Sequence, residues 1–587
     1  MTTTGYGGSE ELYNDGIAAY DAVLGILEEI DTALSRQSGP GDCPVTPATY
    51  SFYCIKILFD VVRTKIYLME KIIGQEKPDQ IIAFLPRNLP PRGIMPFTDD
   101  ESVCAQLLAL EGWKIPVQFV STEQALIPVP VNREKESIIS TILKNSTVFN
   151  LAILYKRKGL RSLASVAPAL LHKKAPVVIY GSGYNWDDAL AALYSAGFNP
   201  IMRYHPEGDA DFGNREKDLI TRIEAICRQS SLINERAMVY GIDTRPVLFK
   251  KMSIILARTC MESVTAYQQF NDFLHARNPK CLLLSTQAYH VDRAIVKAAQ
   301  DYGIPVISWQ HGCGGYCFHP MMPFAEFIDS DLHLVFGEGV KAGYTNTSQR
   351  MGIQKPPEFV PVGSSSLDHL ARTYHEKNPA GPGSMVLYVT TLFLNNTFYL
   401  SDRPDQCTYD ETLWRTQKTI LDFAGKNPHM PFVVKLFPSH KKDSPVHRYA
   451  SDAGIRNVTF VIGEKTIAGL IEEAGMIIFD INSTGLLQAL HSKKPVFVFT
   501  GLENHDPDTL CRLKKRAFVY DTHEALIRGI GEFLGPDSVR FVERSGVDYS
   551  NTEFLMEYGT FRNDGKSALR AADIVKERVT ADRSPSR

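Results

Sequence analysis

The sequence lacks the features of a secreted, membrane-spanning or nucleic-acid-binding protein. Its ten cysteines are scattered over 587 residues, which favours reduced thiols over a disulfide framework. No apolar run approaches the ~20 residues that span a bilayer, and residues 1–8 have neither a basic nor an apolar segment of a signal peptide. A formal net charge of −3 gives no overall attraction to nucleic acid. We therefore expect a cytoplasmic protein with no nucleic-acid partner, whose only membrane contact would be peripheral, at the inner face of the membrane.

Several familiar catalytic signatures are also missing. The chain has no Gly-x-x-x-x-Gly-Lys-Ser/Thr phosphate loop, no Gly-x-Ser-x-Gly nucleophile elbow and no His-Glu-x-x-His zinc motif. The segment Gly181-Ser-Gly183 is only a fragment of a dinucleotide fingerprint, because the third glycine is missing. These absences argue against a P-loop enzyme, an α/β-hydrolase and a Rossmann dehydrogenase.

What is present is an ordinary globular composition, 44% hydrophobic and 22% charged, over a length that favours at least two domains. Apolar runs of strand length alternate with helical periodicity in both halves, which is typical of α/β domains with parallel sheets. An additional amphipathic helix precedes them. The expected units are residues 1–45 (helix and linker), 46–340 (first α/β domain), 341–560 (second α/β domain) and 561–587 (helix and frayed tail).

The main catalytic candidate of the first half is His311. Residues 304–309 form an apolar run of strand length, followed by Gln310, His311, Gly312 and a glycine-rich loop. Open α/β sheets bind ligands at the carboxyl ends of their strands, and the ordinary pKa of histidine suits it to accept a proton from a hydroxyl. The alternative is a core histidine that is hydrogen-bonded to backbone groups.

Two alternatives compete with His311 as the centre of the first half. Asp187 and Asp188 follow another strand and are the second candidate for the base, although capping of the next helix explains them equally well. A zinc site is an alternative for the loop itself, but its spacing is tighter than in usual zinc sites, so we predict no metal. The four ligands of that alternative would be His311, Cys313, Cys317 and His319.

The second half contains a strand that leads into a basic loop. Residues 432–437 form the apolar run, which contains Lys435, and His440 and Lys441 follow in the loop. Lysine point charges and a histidine donor suit a diphosphate. An exposed loop that is basic by chance is the simpler alternative for this segment alone.

A second phosphate-binding candidate follows the apolar run at residues 476–479. A helix is expected to begin at Ser483 or Thr484, where free backbone N–H groups and the helix dipole attract phosphate. The alternative is ordinary helix capping by a hydroxyl side chain. Gln488 lies one turn further on the same face as Thr484, where it could reach a ribose hydroxyl or simply be solvated.

Taken in order, these motifs resemble GT-B glycosyltransferases that build bacterial surface carbohydrates. The likeness covers residues 280–500 and is to the branch with capsule and lipopolysaccharide sugar transferases and CDP-glycerol glycerophosphotransferases. It implies two Rossmann-like domains facing across a cleft, with the acceptor on the first, the nucleotide-activated donor on the second and no metal or other cofactor. The segments that carry it are Trp309-Gln-His-Gly312, Val362-Gly-Ser-Ser-Ser-Leu-Asp368, Val434-Lys-Leu-Phe-Pro438, Phe479-Asp-Ile-Asn-Ser-Thr-Gly485 and Lys494-Pro-Val-Phe-Val498.

The resemblance also assigns roles to single residues. His311 matches a base or donor contact, and its neighbours Gln310 and Gly312 are expected to contact the donor or its phosphate. Ser483 and Thr484 match a hydroxyl pair on the donor phosphate. The sequence departs from the family pattern at Phe437, where a His-Pro pair is usual, and at Gln488, where an acidic residue is common.

The resemblance predicts a glycosyltransferase that moves a sugar from a nucleotide donor to a surface glycan or glycolipid. Cytidine donors such as CMP-Kdo are favoured. A nucleotide-sugar 2-epimerase of the same fold is one alternative, although it would need several carboxylates in the cleft. A non-catalytic glycan-assembly partner is another, suggested by the missing histidine. The oligomeric state is left open.

Overall fold

Two six-stranded parallel sheets form the frame of the protein in a computed structural model of the chain. Helices connect successive strands of each sheet, as parallel pairing requires. The predicted α/β class with two Rossmann-like domains is therefore confirmed. The structure describes residues 10–37, 47–86, 100–122, 175–181, 184–201, 212–316, 318–376, 385–391, 393, 409–437, 445–503 and 505–581.

The strands described before residue 376 are β1 (Ile81–Pro86), β2 (Val117–Thr122), β3 (Ala175–Ile179), β4 (Phe198–Ile201), β5 (Met238–Val239), β6 (Ile242–Asp243), β7 (Leu282–Leu284), β8 (Val306–Trp309), β9 (Leu332–Val335) and β10 (Glu358–Pro361). The first large sheet has the order β10-β9-β8-β7-β3-β4, while β1 pairs with β2 and β5 with β6 in small separate sheets. Strand β10 therefore joins the first sheet although it lies beyond residue 340, the expected end of the first domain.

The second large sheet comprises β11 (Met385–Val389), β12 (Phe432–Lys435), β13 (Val458–Val461), β14 (Ala474–Phe479), β15 (Val496–Phe499) and β16 (Phe518–Tyr520). Its order is β13-β12-β11-β14-β15-β16, so the chain starts in the middle and winds to both edges. The change of direction lies between β11 and β14. Ligands of open α/β sheets bind at such a point, beyond the carboxyl ends of the strands.

The helices lie between and around these strands, and two of them matter most for the candidate site, Asn185–Ser195 and Thr484–His491. The described helices are Glu10–Gln37, Pro47–Tyr50, Phe52–Glu76, Asp100–Leu108, Asn185–Ser195, Gly213–Gln229, Ser231–Arg236, Arg245–Arg277, His290–Tyr302, Met322–Glu326, Glu338–Arg350, Asp368–Glu376, Tyr409–Lys426, Pro445–Asp452, Ile467–Glu473, Thr484–His491, Pro507–Lys514, His523–Leu534, Ser538–Ser545, Glu553–Leu555 and Ser567–Ala581, with a π-helical turn at Met556–Thr560.

The helix before β8 begins and ends where its sequence dictates. The Asp292 carboxylate accepts the backbone N–H of Tyr289 at 3.2 Å, at the start of the helix. Gly303 ends the helix with a φ of 82°, in the left-handed region that favours glycine. The chain then enters β8, whose four residues are all buried, as expected for a central parallel strand.

One hydrophobic core runs through both halves of the molecule. Buried side chains of both large sheets belong to a single cluster, and the segment after residue 553 contributes to it. The last helix, Ser567–Ala581, returns from the second domain and packs on helix Asn185–Ser195 of the first. A second core joins the N-terminal helices to helix Arg245–Arg277. The two domains therefore meet through packed side chains as well as through facing loops.

Candidate active site

The loop at residues 310–316, called the histidine loop below, is shaped by Gln310. The Gln310 side chain is completely buried. Its Oε1 accepts the backbone N–H of Phe336 at 2.9 Å, and its Nε2 donates to the Gly312 carbonyl at 2.8 Å. Both polar atoms of the amide thus bind backbone groups that turn the chain at the end of β8. The donor contact assigned to Gln310 from the sequence stays a prediction.

His311 is paired with a carboxylate that the sequence analysis missed. Its Nδ1 lies 2.5 Å from Oε1 of Glu326, which is fully buried in helix Met322–Glu326. The other carboxylate oxygen accepts the hydroxyl of Tyr344 at 2.8 Å, and Nε2 of His333 lies 3.6 Å from it. The His311 side chain is 37% exposed. Glu326 therefore holds one nitrogen of a histidine that can still be reached from outside.

The electrostatics of this pair follow from burial and charge. Burial alone would raise the pKa of Glu326, but the neighbouring His311 and His333 bring the pKa down to about 2. Burial alone would lower the pKa of His311, but attraction to Glu326 outweighs it, so this pKa lies above its ordinary value. The negative charge of an ionised Glu326, 2.5 Å from Nδ1, favours the His311 proton on that nitrogen, which leaves Nε2 to accept a proton.

Buried hydroxyl and amide side chains form hydrogen bonds on the other side of His333. Nδ1 of His333 lies 2.7 Å from the Ser308 hydroxyl, to which the Ser330 hydroxyl donates at 2.7 Å. Nε2 of Gln287 donates to Ser330 in turn. Burial lowers the pKa of His333 below its ordinary value, so charge on its ring is disfavoured. A buried polar network thus extends to Nδ1 of His333, whose other ring nitrogen lies 3.6 Å from the Glu326 carboxylate.

The opposite wall of the site is the start of helix Thr484–His491. Ser483 is the N-cap residue with extended backbone, and its side chain makes no capping hydrogen bond. The first N–H groups of the helix are therefore not capped by that hydroxyl, and the hydroxyls of Ser483 and Thr484 lie beside them. Phosphate binds at helix N-termini of this kind. Gln488 is half-buried one turn further along.

The histidine loop and this helix start touch each other. A Cβ atom added to Gly312 would lie 3.6 Å from Oγ1 of Thr484. The thiol of Cys313 donates to the Asn482 carbonyl at 3.3 Å. The histidine loop is therefore hydrogen-bonded to the segment before the helix, and a side-chain atom at Gly312 would be in van der Waals range of Thr484. The structure brings His311, Gly312, Ser483 and Thr484 together at one place between the two sheets.

Asn185 connects a third segment to the histidine loop. Its Nδ2 donates to the Gln310 carbonyl at 2.7 Å, and its Oδ1 accepts the Ser364 hydroxyl at 2.8 Å. The Ser365 hydroxyl donates to the Asn185 carbonyl at 2.6 Å. The helix start at Asn185, the histidine loop and residues 362–368, called the junction loop below, are therefore fixed relative to each other.

Tryptophans and a glycine fix the base of the same junction. Trp309 Nε1 donates to the Gly363 carbonyl at 3.1 Å, and its ring meets Trp186 edge to face at 4.9 Å. The Asp368 carboxylate accepts two backbone N–H groups at the start of helix Ser567–Ala581. The motif from Val362 to Asp368, singled out in the sequence, joins the two halves.

No protein-family model matches the chain, and a comparison with curated sequences gives no match. Among solved structures, the chain is similar to UDP-GlcNAc 2-epimerase from Neisseria meningitidis bound to UDP-GlcNAc, with 14% identity and a TM-score of 0.41 over 69% of this chain and 100% of that one. It is similar to MurG from Acinetobacter baumannii, with 10% identity and a TM-score of 0.36 over 69% and 100%. It is also similar to Phytolacca americana UGT2 complexed with UDP-2-fluoro-glucose and pterostilbene. The identity is 11% and the TM-score 0.37, over 69% of this chain and 100% of that one. At such identities and TM-scores, function is argued from the site alone.

The other predicted site residues are spread more widely. Asp187 is buried and Asp188 half-buried in the first turn of helix Asn185–Ser195, and their role as a base stays a prediction. Nζ of Lys435 donates to the Ile462 carbonyl, and burial lowers the pKa of this ammonium group. Its phosphate contact stays a prediction as well. His440 and Lys441 lie outside the described residues.

Two further observations concern membranes and metals. Within the described ranges, no helix has both the length and the apolar character needed to cross a bilayer. In the same part of the chain, no three His, Cys, Asp or Glu side chains are grouped so that they could hold a metal ion. Cys317, one ligand of the zinc alternative, lies outside that part.

Glu326 and His333 are the site residues that sequence reasoning missed. Glu326 is the single charge in the apolar run Met-Met-Pro-Phe-Ala-Glu-Phe-Ile at residues 321–328, and His333 is the single polar residue of β9. A lone ionisable residue in an apolar segment is buried with a partner or not buried at all. This rule could have marked Glu326 and His333 as buried, paired residues, but it could not have identified His311 as the partner of Glu326.

Proposed function

We propose that the protein is a glycosyltransferase that moves a sugar from a nucleotide-activated donor to an acceptor hydroxyl. The proximity of the histidine loop to the helix start carries the proposal: the Cys313 thiol donates to the Asn482 carbonyl, and a Cβ atom added to Gly312 would lie 3.6 Å from Oγ1 of Thr484. This proximity supports a pairing of His311 of one domain, as the proposed general base, with the proposed phosphate-binding helix start of the other. A transferase of this kind needs both groups within the span of one sugar phosphate.

The first half of the reaction is proton removal from the acceptor. As the acceptor oxygen bonds to the anomeric carbon of the donor sugar, its proton passes to Nε2 of His311. Glu326 holds Nδ1–H throughout and stabilises the imidazolium that forms. The Tyr344 hydroxyl donates to this buried carboxylate and fixes it in turn, so little reorganisation accompanies the transfer.

The second half is departure of the nucleotide. The bond between the anomeric carbon and the phosphate oxygen breaks, and its electron pair leaves with the phosphate. The backbone N–H groups at the start of helix Thr484–His491 and the hydroxyls of Ser483 and Thr484 stabilise the growing negative charge. These groups do so without a metal ion, and we propose that the reaction needs none.

We further propose a cytidine donor such as CMP-Kdo and an acceptor that is a bacterial surface glycan or glycolipid. The order of the sequence motifs supports this choice. The protein would then work in the cytoplasm, with peripheral contact at the inner face of the membrane where the acceptor is lipid-linked.

A panel of CMP-, CDP-, UDP- and GDP-sugars tests the proposal, with the melting temperature and donor breakdown as readouts. One nucleotide class is expected to raise the melting temperature, because a ligand at about 100 times its Kd stabilises the folded state by about 2.7 kcal/mol. Thr484→Val should reduce this shift, whereas the matched control Thr459→Val, at an exposed position of β13, should not.

The other outcomes of the panel are equally informative. If no nucleotide-sugar raises the melting temperature, the proposed donor site is wrong. Conversion of UDP-GlcNAc to its 2-epimer without an acceptor would replace the transferase by the epimerase alternative. A thermal shift without any turnover in the presence of glycan acceptors would favour the non-catalytic assembly partner.

A further inference from the structure

Tyr184 adopts a backbone conformation that tyrosine rarely takes. Its φ of 39° and ψ of −113° are close to the first central position of a type II′ turn, where glycine dominates. The preceding Gly181 also has a positive φ, of 69°, yet a large aromatic residue occupies the strained position before the helix. Backbone strain of this kind persists where the surrounding structure over-determines it, and it clusters at functional sites.

The strained residue presents its ring beside the candidate base. The Tyr184 side chain is 45% exposed, and its ring centroid lies 5.5 Å from that of His311, with the ring planes at 56°. The next residue, Asn185, is buried and bonded to both the histidine loop and the junction loop. The hydrogen bonds of Asn185 therefore hold the backbone that carries the ring, while part of the ring is exposed to solvent.

We propose that the Tyr184 ring is a binding subsite for the acceptor sugar. One face of a pyranose would stack on the ring, and a hydroxyl at the edge of that sugar would reach His311. The inference rests on the proposed function and adds to it the residue that binds the acceptor. The C–H groups of a pyranose face carry slight positive charge, which suits the negative face of an aromatic ring. A tyrosine also offers a large contact area at a low entropy cost.

Because of this strain, one substitution is expected to raise stability and to weaken sugar binding at the same time. Tyr184→Gly is expected to raise the melting temperature by about 1–3 °C, because glycine adopts the native φ and ψ without strain. The same change removes the ring and with it the sugar contact. A residue with a merely structural role would lower stability when truncated. Tyr184→Phe keeps the ring and should keep sugar binding.

Tyr240 provides a matched control in a separate small sheet. It also has a positive φ, of 50°, is 44% exposed and contacts another aromatic ring, that of Tyr67, at 5.7 Å. It lies in the turn between β5 and β6. Tyr240→Gly should therefore relieve similar strain and leave sugar binding unchanged.

Binding is measured by saturation-transfer NMR with the methyl β-glycosides of glucose, galactose and N-acetylglucosamine, without donor. At least one glycoside is expected to show transfer to the C–H protons of one face, reduced at least five-fold in Tyr184→Gly and unchanged in Tyr184→Phe and Tyr240→Gly. No transfer to any glycoside, or equal transfer in Tyr184→Gly, overturns the inference. Because donor binding is measured separately by the melting temperature, failure of this subsite and failure of the proposed function are told apart.

Discussion

Replacing Glu326 by glutamine is expected to lower kcat/KM of sugar transfer by about 10²- to 10⁴-fold. The Tyr344 hydroxyl donates to one carboxylate oxygen, so the glutamine oxygen will occupy that position. The amide nitrogen then faces His311 and donates to Nδ1. The imidazole proton moves to Nε2, which can no longer accept a proton from the acceptor.

The pH profile separates this effect from a general loss of structure. Glu326 holds the pKa of His311 above its ordinary value, so the wild-type rate rises with pH only as His311 loses its proton at that raised pKa. Without the carboxylate charge the pKa of His311 falls, and the rising limb of kcat/KM moves to lower pH. The loss of rate is therefore smaller at acidic pH than at alkaline pH.

Tyr344→Phe is the matched control, because it removes a hydrogen bond to the same carboxylate and leaves the charge in place. Its rate should fall by less than about ten-fold, with the rising limb close to that of the wild type. Equal melting temperatures of the variants show that the fold is intact. A Glu326→Gln variant with the wild-type rate and pH profile contradicts the role assigned to Glu326.

The largest effect on stability is expected for Gly363→Ala. Gly363 has a φ of 91°, and a Cβ atom at this position would lie 2.7 Å from the Thr560 carbonyl oxygen, in addition to a closer contact with the Ser567 hydroxyl. Backbone strain and steric overlap together are expected to destabilise the fold by about 3 kcal/mol or more. The Gly363 carbonyl also accepts the indole N–H of Trp309. A shift of the junction loop would therefore also displace Trp309, the residue before the histidine loop.

Comparison with Gly352→Ala separates the steric overlap at Gly363 from the backbone strain. Gly352 also has a positive φ, of 63°, but a Cβ atom there would meet nothing within 4 Å. Thermal and urea unfolding of both variants should show a clearly smaller loss for Gly352→Ala, since only the backbone strain of about 1 kcal/mol remains. Equal losses for the two variants contradict the close packing at the junction.

Local sequence patterns were sufficient for the elements that present the site. The apolar run at residues 304–309 predicted strand β8 (Val306–Trp309), and the glycine after helix His290–Tyr302 marks its end. The expected helix start at Ser483 or Thr484 coincides with helix Thr484–His491. Each of these features depends on neighbouring residues in the chain, so a single sequence contains the information.

Features that depend on distant residues could not be predicted in the same way. The partner of His311 is fifteen residues away in an apolar segment, and only the packing of helix Met322–Glu326 beneath the loop brings them together. Strand β10 joins β9 of the first sheet across the expected domain boundary. Gln310 is a polar residue at a strand end, and only the folded structure shows that its side chain is completely buried. Tertiary contacts decide all three cases.

The central claim is that the histidine loop and the start of helix Thr484–His491 act on one substrate. A crystal structure with the nucleotide that the best-binding donor releases tests it most directly. The terminal phosphate of that nucleotide is expected within hydrogen-bond distance, about 2.7–3.2 Å, of the backbone N–H groups that follow Ser483, on the side that faces His311. A nucleotide bound elsewhere, with the start of this helix unoccupied, would contradict the account.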